Sequence, residues 1–196
     1  LFGGAFDPPH NAHLALAQAA LSQLQLDVLY VVPTGDAWHK TRVLSPGHHR
    51  MAMCQLLFAN LAQVRVSDIE LNRPGPSYTV DTLSVLRQQH VGAKFFLVVG
   101  ADQAASFNQW QQSQQILAWA QLVVAKRSWP DEKPQPFFEW HNQQPLALNL
   151  PLMPISATAS RQRTRDGDDL SGLLPAAVIH YIQTNHLYLD NHDRSL

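Results

Sequence analysis

A chain of 196 residues, 45% hydrophobic and 15% charged, has the composition of a globular domain large enough to bury its own core, which excludes a disordered chain. Its formal net charge of −1 argues against a broad basic surface for nucleic acid, although a small local phosphate site would leave no mark on that total. Apolar runs such as residues 95–99 and 122–125 fall far short of the roughly 20 residues of a membrane helix, so no membrane partner is expected. Gly3, Gly4 and Asp7 interrupt any opening of the signal-peptide kind, and the single cysteine, Cys54, excludes an internal disulfide and fits a reducing cytoplasm.

The chain starts abruptly at Leu1-Phe2 without methionine, as if inside a first strand with a few residues before it. Leu14, Ala17, Leu21 and Leu24 recur at helical spacing, and residues 28–32 follow as an apolar strand. Met51, Cys54, Leu57, Phe58 and Leu61 predict a second helix, with Cys54 a small residue of its buried stripe. Residues 64–71 predict a strand from the partly alternating Val64, Val66 and Ile69 to Leu71. Pro74-Gly75-Pro76 breaks the chain before a third helix marked by Val80, Leu83 and Leu86. The run 95–99, ending at Gly100, suits a strand buried on both faces of a parallel sheet. A Gln-rich stretch with Ile116, Leu117 and Trp119 predicts a helix, and 122–125 the next strand.

Six of the thirteen prolines fall between residues 128 and 154, together with Phe137, Phe138 and Trp140. This density predicts a meandering excursion over about 128–150 that rejoins the sheet near 150–153. A short helix after Ser156 and another from Pro175, striped by Val178, Ile179, Tyr181 and Ile182, close the chain. Strands alternating with helices predict an α/β fold: an open, mostly parallel sheet with right-handed crossovers and helices on both faces. One domain is expected over 1–190, with a tail at 191–196.

The segment G-G-A-F-D-P-P-H-N-A-H, Gly3 to His13, carries the strongest chemical signal. A strand running into glycines lets the backbone turn tightly and approach a ligand closely. His10 and His13, three apart at a helix start, lie on one face, where free amides and the positive end of the dipole already favour phosphate. The bland alternative is a pair of histidines lining a helix terminus. Zinc is disfavoured because no third ligand accompanies the pair, and no protein metal site is expected. Near the other end stands I-S-A-T-A-S-R, Ile155 to Arg161, ahead of a second helix. Ser156 or Thr158 can cap that helix, and Arg161 lies near the same end, so hydroxyls, amides and a guanidinium form a second phosphate grip. Alone it reads as an ordinary cap; two phosphate-type helix starts after strands are more informative, because open parallel sheets collect ligands at the carboxyl ends of their strands.

These two segments resemble the H-x-G-H and S-x-T-x-x-R motifs of the nucleotidyltransferase superfamily, and the chain resembles its bacterial nicotinate-nucleotide adenylyltransferases in particular. The closer resemblance lies in Gly75 to Leu83 (G-P-S-Y-T-V-D-T-L), Val98 to Gln103 (V-V-G-A-D-Q) with Trp110 downstream, Val32 to Lys40 (V-P-T-G-D-A-W-H-K), and Leu173 to Ile182. It runs from Leu1 to about Tyr188 and thins in the proline-rich excursion.

The resemblance implies a Rossmann-like sheet of the nucleotidyltransferase type. It implies a cytoplasmic enzyme of NAD biosynthesis that transfers AMP from ATP to nicotinate mononucleotide, releasing pyrophosphate, with Mg2+ accompanying ATP. Gly3, Gly4, His10, His13, Ser156, Thr158 and Arg161 would meet the ATP phosphates, with His13 and His10 catalytic. Gly100 and Asp102 would lie by a ribose, Trp110 would stack on the pyridine ring, and the Tyr78–Thr79 backbone would take its carboxylate. Lys40, with His39 beside it, would face the mononucleotide phosphate. Bland alternatives stand beside these: Asp102 or Thr79 as a helix cap, Trp110 as a core aromatic, Lys40 as a surface charge.

Two positions depart from the pattern. Ala12 stands where the family usually has glycine between the histidines, and Ala5 where a hydroxyl residue is common, which bears on ATP affinity more than on function. Two other readings compete with this one. An adenylyltransferase for another phosphorylated acceptor, nicotinamide mononucleotide or pantetheine phosphate, would not need Trp110 or Tyr78–Thr79. A non-catalytic nucleotide sensor should have lost some of the phosphate-binding side chains.

Overall fold

The computed structural model of the chain describes residues 1–36, 43–127 and 144–189. Its strands are β1 (Phe2–Gly4), β2 (Leu29–Pro33), β3 (Val64–Val66), β4 (Phe95–Gly100), β5 (Ala120–Arg127) and β6 (Leu146–Leu150). They form a six-stranded sheet in the order β3-β2-β1-β4-β5-β6, and every pairing is parallel. The chain builds outward from β1 to β3, then crosses back to β4 on the other side of β1. Adjacent parallel strands whose connections leave in opposite directions open a crevice at their carboxyl ends, here between Gly4 and Gly100.

The helices are α1 (Asn11–Gln23), α2 (Gly47–Phe58), α3 (Thr79–Gln89), α4 (Ala101–Ala105), α5 (Ser113–Trp119), α6 (Ala157–Asp166) and α7 (Ala176–Thr184). Because strand side chains alternate between faces, the apolar runs feed two cores at once. Val98, Val123 and Ala125 join Ala17 and Ala20 of α1, Met53 and Leu57 of α2, and Val178 and Ile182 of α7. Leu97, Val99, Leu122 and Val124 join Val80 and Leu83 of α3 and Ile116 and Leu117 of α5 on the opposite face. The expected open parallel sheet with helices on both faces is therefore present. Among the described residues no helix is long and apolar enough to cross a membrane.

Some boundaries differ from the sequence expectation. The strand expected over 64–71 ends at Val66. Beyond it the chain turns, with Asn72 N–H bonding the Asp68 carbonyl at 2.9 Å, and carries Glu70 into the interior. The return to the sheet comes at Leu146–Leu150, earlier than 150–153, with Leu148 opposite Ala125 as its buried contact. Leu61 lies beyond the end of α2. Helix α4 and a 3-10 turn, Phe107–Gln109, fill a stretch with too few apolar residues to show helical spacing. Most of the proline-rich excursion, residues 128–143, lies outside the described residues, as do Lys40, His39 and the tail.

Candidate active site

Strand β1 delivers Gly3 and Gly4 to the crevice, but neither glycine makes the turn that follows. Phe6 does, in the left-handed region at φ 48°. A Cβ at Gly4 would stand 3.2 Å from the Phe6 ring, whereas one at Gly3 would meet nothing closer than the Val32 carbonyl at 4.0 Å. Gly4 thus accommodates the folded-back Phe6, and exposed Gly3 presents bare backbone to the cavity.

His10 is the N-cap of α1 rather than part of the helix, and His13 is the third helical residue. The His10 N–H donates to His13 Nδ1 at 3.1 Å, and the rings stack with centroids 3.7 Å apart. Accepting at Nδ1 places the proton of a neutral His13 ring on Nε2, which makes Nε2 the donor. His10 is 5% exposed, while His13 is half-buried. The buried His10 ring thus backs the more exposed His13 ring.

The turn between β1 and α1 is held from behind by a polar network. Asp7, 1% exposed, accepts the Ser45 N–H at 3.0 Å and the Tyr188 hydroxyl at 2.6 Å. Burial first, and then the Asp7 charge, push the Tyr188 phenol well above its ordinary range, so it stays a donor. Buried Arg50 donates to the carbonyls of Ser45 at 2.8 Å and Ala5 at 3.0 Å. Sequence reasoning assigned no role to Asp7, Arg50 or Tyr188. The available signal was Arg50 itself, a cation on the buried stripe that Met53, Cys54 and Leu57 continue at helical spacing.

The second phosphate-type segment lies beyond β6. Ser156 is the N-cap of α6 and its Oγ accepts the Ala159 N–H at 3.1 Å, as a capping serine does. Arg161 donates through one Nη to the Asp7 carbonyl at 2.7 Å and through the other to Thr158 Oγ1 at 3.1 Å. Its guanidinium thereby fastens the start of α6 to the turn that precedes α1.

On the β4 side, Gly100 is the N-cap of α4 and Asp102 is the second helical residue. Its carboxylate folds over Gly100, where an added Cβ would meet Asp102 Oδ1 at 2.6 Å. Half-buried Trp110 packs against Phe107, ring centroids 5.2 Å apart, so it is in part a core aromatic and in part a cavity wall. Tyr78 is the extended N-cap of α3 and Thr79 its first residue, and both line the same space.

One cavity of about 1020 Å³ collects these pieces. His10, His13, Ser156, Thr158 and Arg161 line its phosphate-type side, and Tyr78, Thr79, Asp102 and Trp110 line the rest. Gly3, Gly4, Ala12 and Gly100 also lie on its wall. Of the residues expected at the site, only Lys40 and His39 fall outside the described part of the chain. Glu70 and Ser77 line the cavity as well, and no role had been expected for either side chain.

Comparison with known proteins bears on what such a cavity serves. Residues 1–163 match the cytidylyltransferase-like family model. The chain is 47% identical over 190 residues to a protein named probable nicotinate-nucleotide adenylyltransferase from Albidiferax ferrireducens, covering 96% of each. It is 38% identical to the protein of that name from Bordetella petrii, covering 96% of this chain and 97% of that one. In fold it resembles Plasmodium falciparum nicotinic acid mononucleotide adenylyltransferase complexed with NaAD, with a TM-score of 0.75 at 19% identity and 95% coverage of each chain.

Proposed function

The chain belongs to the nicotinate-nucleotide adenylyltransferases of the cytidylyltransferase-like family, and from this premise we propose that it transfers AMP from ATP to nicotinate mononucleotide, a step of NAD biosynthesis. The observation that carries the reading is the convergence of two phosphate-type helix starts and the Tyr78–Thr79 and Trp110 segments on one cavity. Phosphate sites alone would serve any nucleotidyltransferase; an aromatic wall beside a third helix start suits an acceptor with a flat ring and a carboxylate.

An oxygen of the mononucleotide 5′-phosphate attacks the α-phosphorus of ATP. The bond from that phosphorus to the oxygen bridging the β-phosphate breaks, and pyrophosphate leaves. The attacking oxygen is already anionic at neutral pH, so neither a general base nor a covalent enzyme intermediate is required. Catalysis rests on alignment and on donors aimed at the charge that spreads over the α-phosphate. His13, donating through Nε2, meets that charge; His10 stacks behind it. Gly3 and Gly4 let the α-phosphate approach the backbone. Ser156, Thr158 and Arg161 hold the β- and γ-phosphates, and Asp102, with Gly100 giving it room, lies by a ribose. Lys40 adds positive charge at the mononucleotide phosphate.

Magnesium accompanying ATP would add to the neutralisation of the departing pyrophosphate. Its ligands there would be mostly phosphate oxygens and water. A cytoplasmic setting agrees with one cysteine, Cys54, buried as a free thiol whose pKa burial pushes up.

Pyrophosphate release from ATP, measured across nicotinate mononucleotide, nicotinamide mononucleotide and pantetheine phosphate, tests the reading. The nicotinate compound is expected to dominate; preference for either other acceptor overturns the assignment.

A further inference from the structure

Glu70 is 7% exposed, belongs to no helix or strand, and lines both the main cavity and a smaller neighbouring one of about 610 Å³. Its Oε1 accepts the hydroxyl proton of fully buried Thr82 at 2.9 Å, and the Gly35 backbone N–H faces the carboxylate and favours its charge. Arg73 donates to the same Thr82 hydroxyl at 3.3 Å, completing a relay that ends on Glu70. The backbone contact is tighter still. A Cβ on Gly35 would stand 2.1 Å from the Glu70 carbonyl oxygen and 2.8 Å from Ser77 Oγ, so only glycine fits there.

Gly35 lies against Ser77, the residue before the N-cap of α3. Its neighbour Asp36 bridges Pro76, and the Asp36 carbonyl accepts the Ser77 N–H at 3.2 Å. Thr82 lies in the first turn of α3, with its N–H on the Tyr78 carbonyl at 3.3 Å. Glu70 therefore grips both ends of the frame around Ser77, Tyr78 and Thr79. Ser77 Oγ is buried in that frame with no hydrogen-bond partner among the described residues, which marks the spot as one arranged for something other than packing.

We propose that Glu70 is a positioning residue for the acceptor: its carboxylate ties Gly35 to the first turn of α3 and so fixes the Ser77–Thr79 segment that receives the pyridine ring and its carboxylate. The inference rests on the function proposed above. Burial raises the pKa of this carboxyl, against the hydrogen bond from Thr82 and the charge of Arg73, which favour its ionised form. A buried carboxyl with a shifted pKa on the wall of a cavity is a candidate for a functional role.

Steady-state kinetics of Glu70→Gln, Thr82→Val and Thr82→Ser test it, with KM for each substrate read separately. In Glu70→Gln an NH2 group faces either the Gly35 N–H or the Thr82 hydroxyl, and the Gly35 amide cannot reverse its polarity. The expected result is a rise of about tenfold in KM for nicotinate mononucleotide, the loss of roughly one hydrogen bond, with KM for ATP unchanged. Thr82→Val, nearly the same shape, should move the same constant in the same direction, and Thr82→Ser should restore it. Michaelis constants for both substrates rising together, or no difference between Thr82→Val and Thr82→Ser, overturn the inference. A wild-type protein that releases no pyrophosphate with nicotinate mononucleotide overturns the proposed function, and this inference with it. Normal wild-type turnover with unselective variants overturns this inference alone.

Discussion

Arg161 of α6 donates to the backbone carbonyl of Asp7 at 2.7 Å, across 154 positions of sequence. The contact joins the two phosphate-type segments directly, because Asp7 sits in the turn before α1 while Arg161 also holds Thr158 at 3.1 Å. A single planar fork spans both.

Lysine at position 161 keeps the charge but cannot present two fixed N–H groups in one plane. Arg161→Lys should therefore raise KM for ATP on the order of tenfold, the loss of about one charge-assisted hydrogen bond, with little change for the acceptor. Separate titrations of the two substrates check this. An unchanged KM for ATP would reduce the guanidinium to a structural tie.

His13→Ala should fold normally and lose most turnover. The side chain contributes one acceptor to the His10 N–H, about 1 kcal/mol of stability, but in the proposed reaction its Nε2–H meets transition-state charge, and removing one such donor costs about 10²–10³ in rate. Single-turnover measurements separate this from ATP binding, which His10→Ala should weaken as well. Wild-type turnover in a folded His13→Ala protein would leave the imidazole a capping group.

Ala12 is the second residue of α1 and lines the cavity. Its helical backbone removes any conformational need for glycine, so Ala12→Gly should destabilise by roughly 0.5–1 kcal/mol. Any kinetic change should appear in KM for ATP. Denaturant melts and ATP titrations read the two effects independently; lower kcat at unchanged ATP affinity would mean that this methyl faces the reacting centre instead.

Tyr188→Phe removes a hydroxyl that donates to buried Asp7. The expected loss is about 1.5–3 kcal/mol near neutral pH, the range for a hydrogen bond to a charged group. The pH dependence has a definite sign. With its pKa raised above the ordinary 10.0, the folded phenol keeps a proton that the unfolded chain releases, so its stabilisation is present below that value and is lost as pH climbs beyond it. The stability gap between wild type and variant should narrow above pH 10. A gap that stays constant with pH would remove this tyrosine from the network.

Acceptor choice is the sharpest test of the α3 start. Amides at a helix N-terminus favour a carboxylate, whereas a carboxamide would turn NH2 toward donors. kcat/KM for nicotinate mononucleotide should exceed that for the nicotinamide compound by orders of magnitude. Trp110→Ala should weaken both, because stacking on the ring does not read the substituent. A ratio near one would sink the nicotinate preference.

The sequence by itself determined the sheet and pointed to most of the residues that line the candidate cavity. Runs such as 95–99 are apolar at every position, which only a strand covered on both faces accommodates, and the polar residues near Gly4, Gly100 and Ser156 stand just after strands, where a parallel sheet places its ligands. Periodicity could not mark where β3 stops, because Ile69 and Leu71 read as strand although the turn there serves to bury Glu70 between them. Nor could it show that Phe6, not a glycine, takes the left-handed turn. What only the tertiary structure decided is which distant groups meet. Arg161 with Asp7, Tyr188 with Asp7, and Glu70 with Gly35 and Thr82 are joined by hydrogen bonds between polar groups that leave no period in the chain. Helix and strand patterns come from burying apolar faces, which repeat along the sequence; a buried polar contact is a single event between two places, and only packing brings them together.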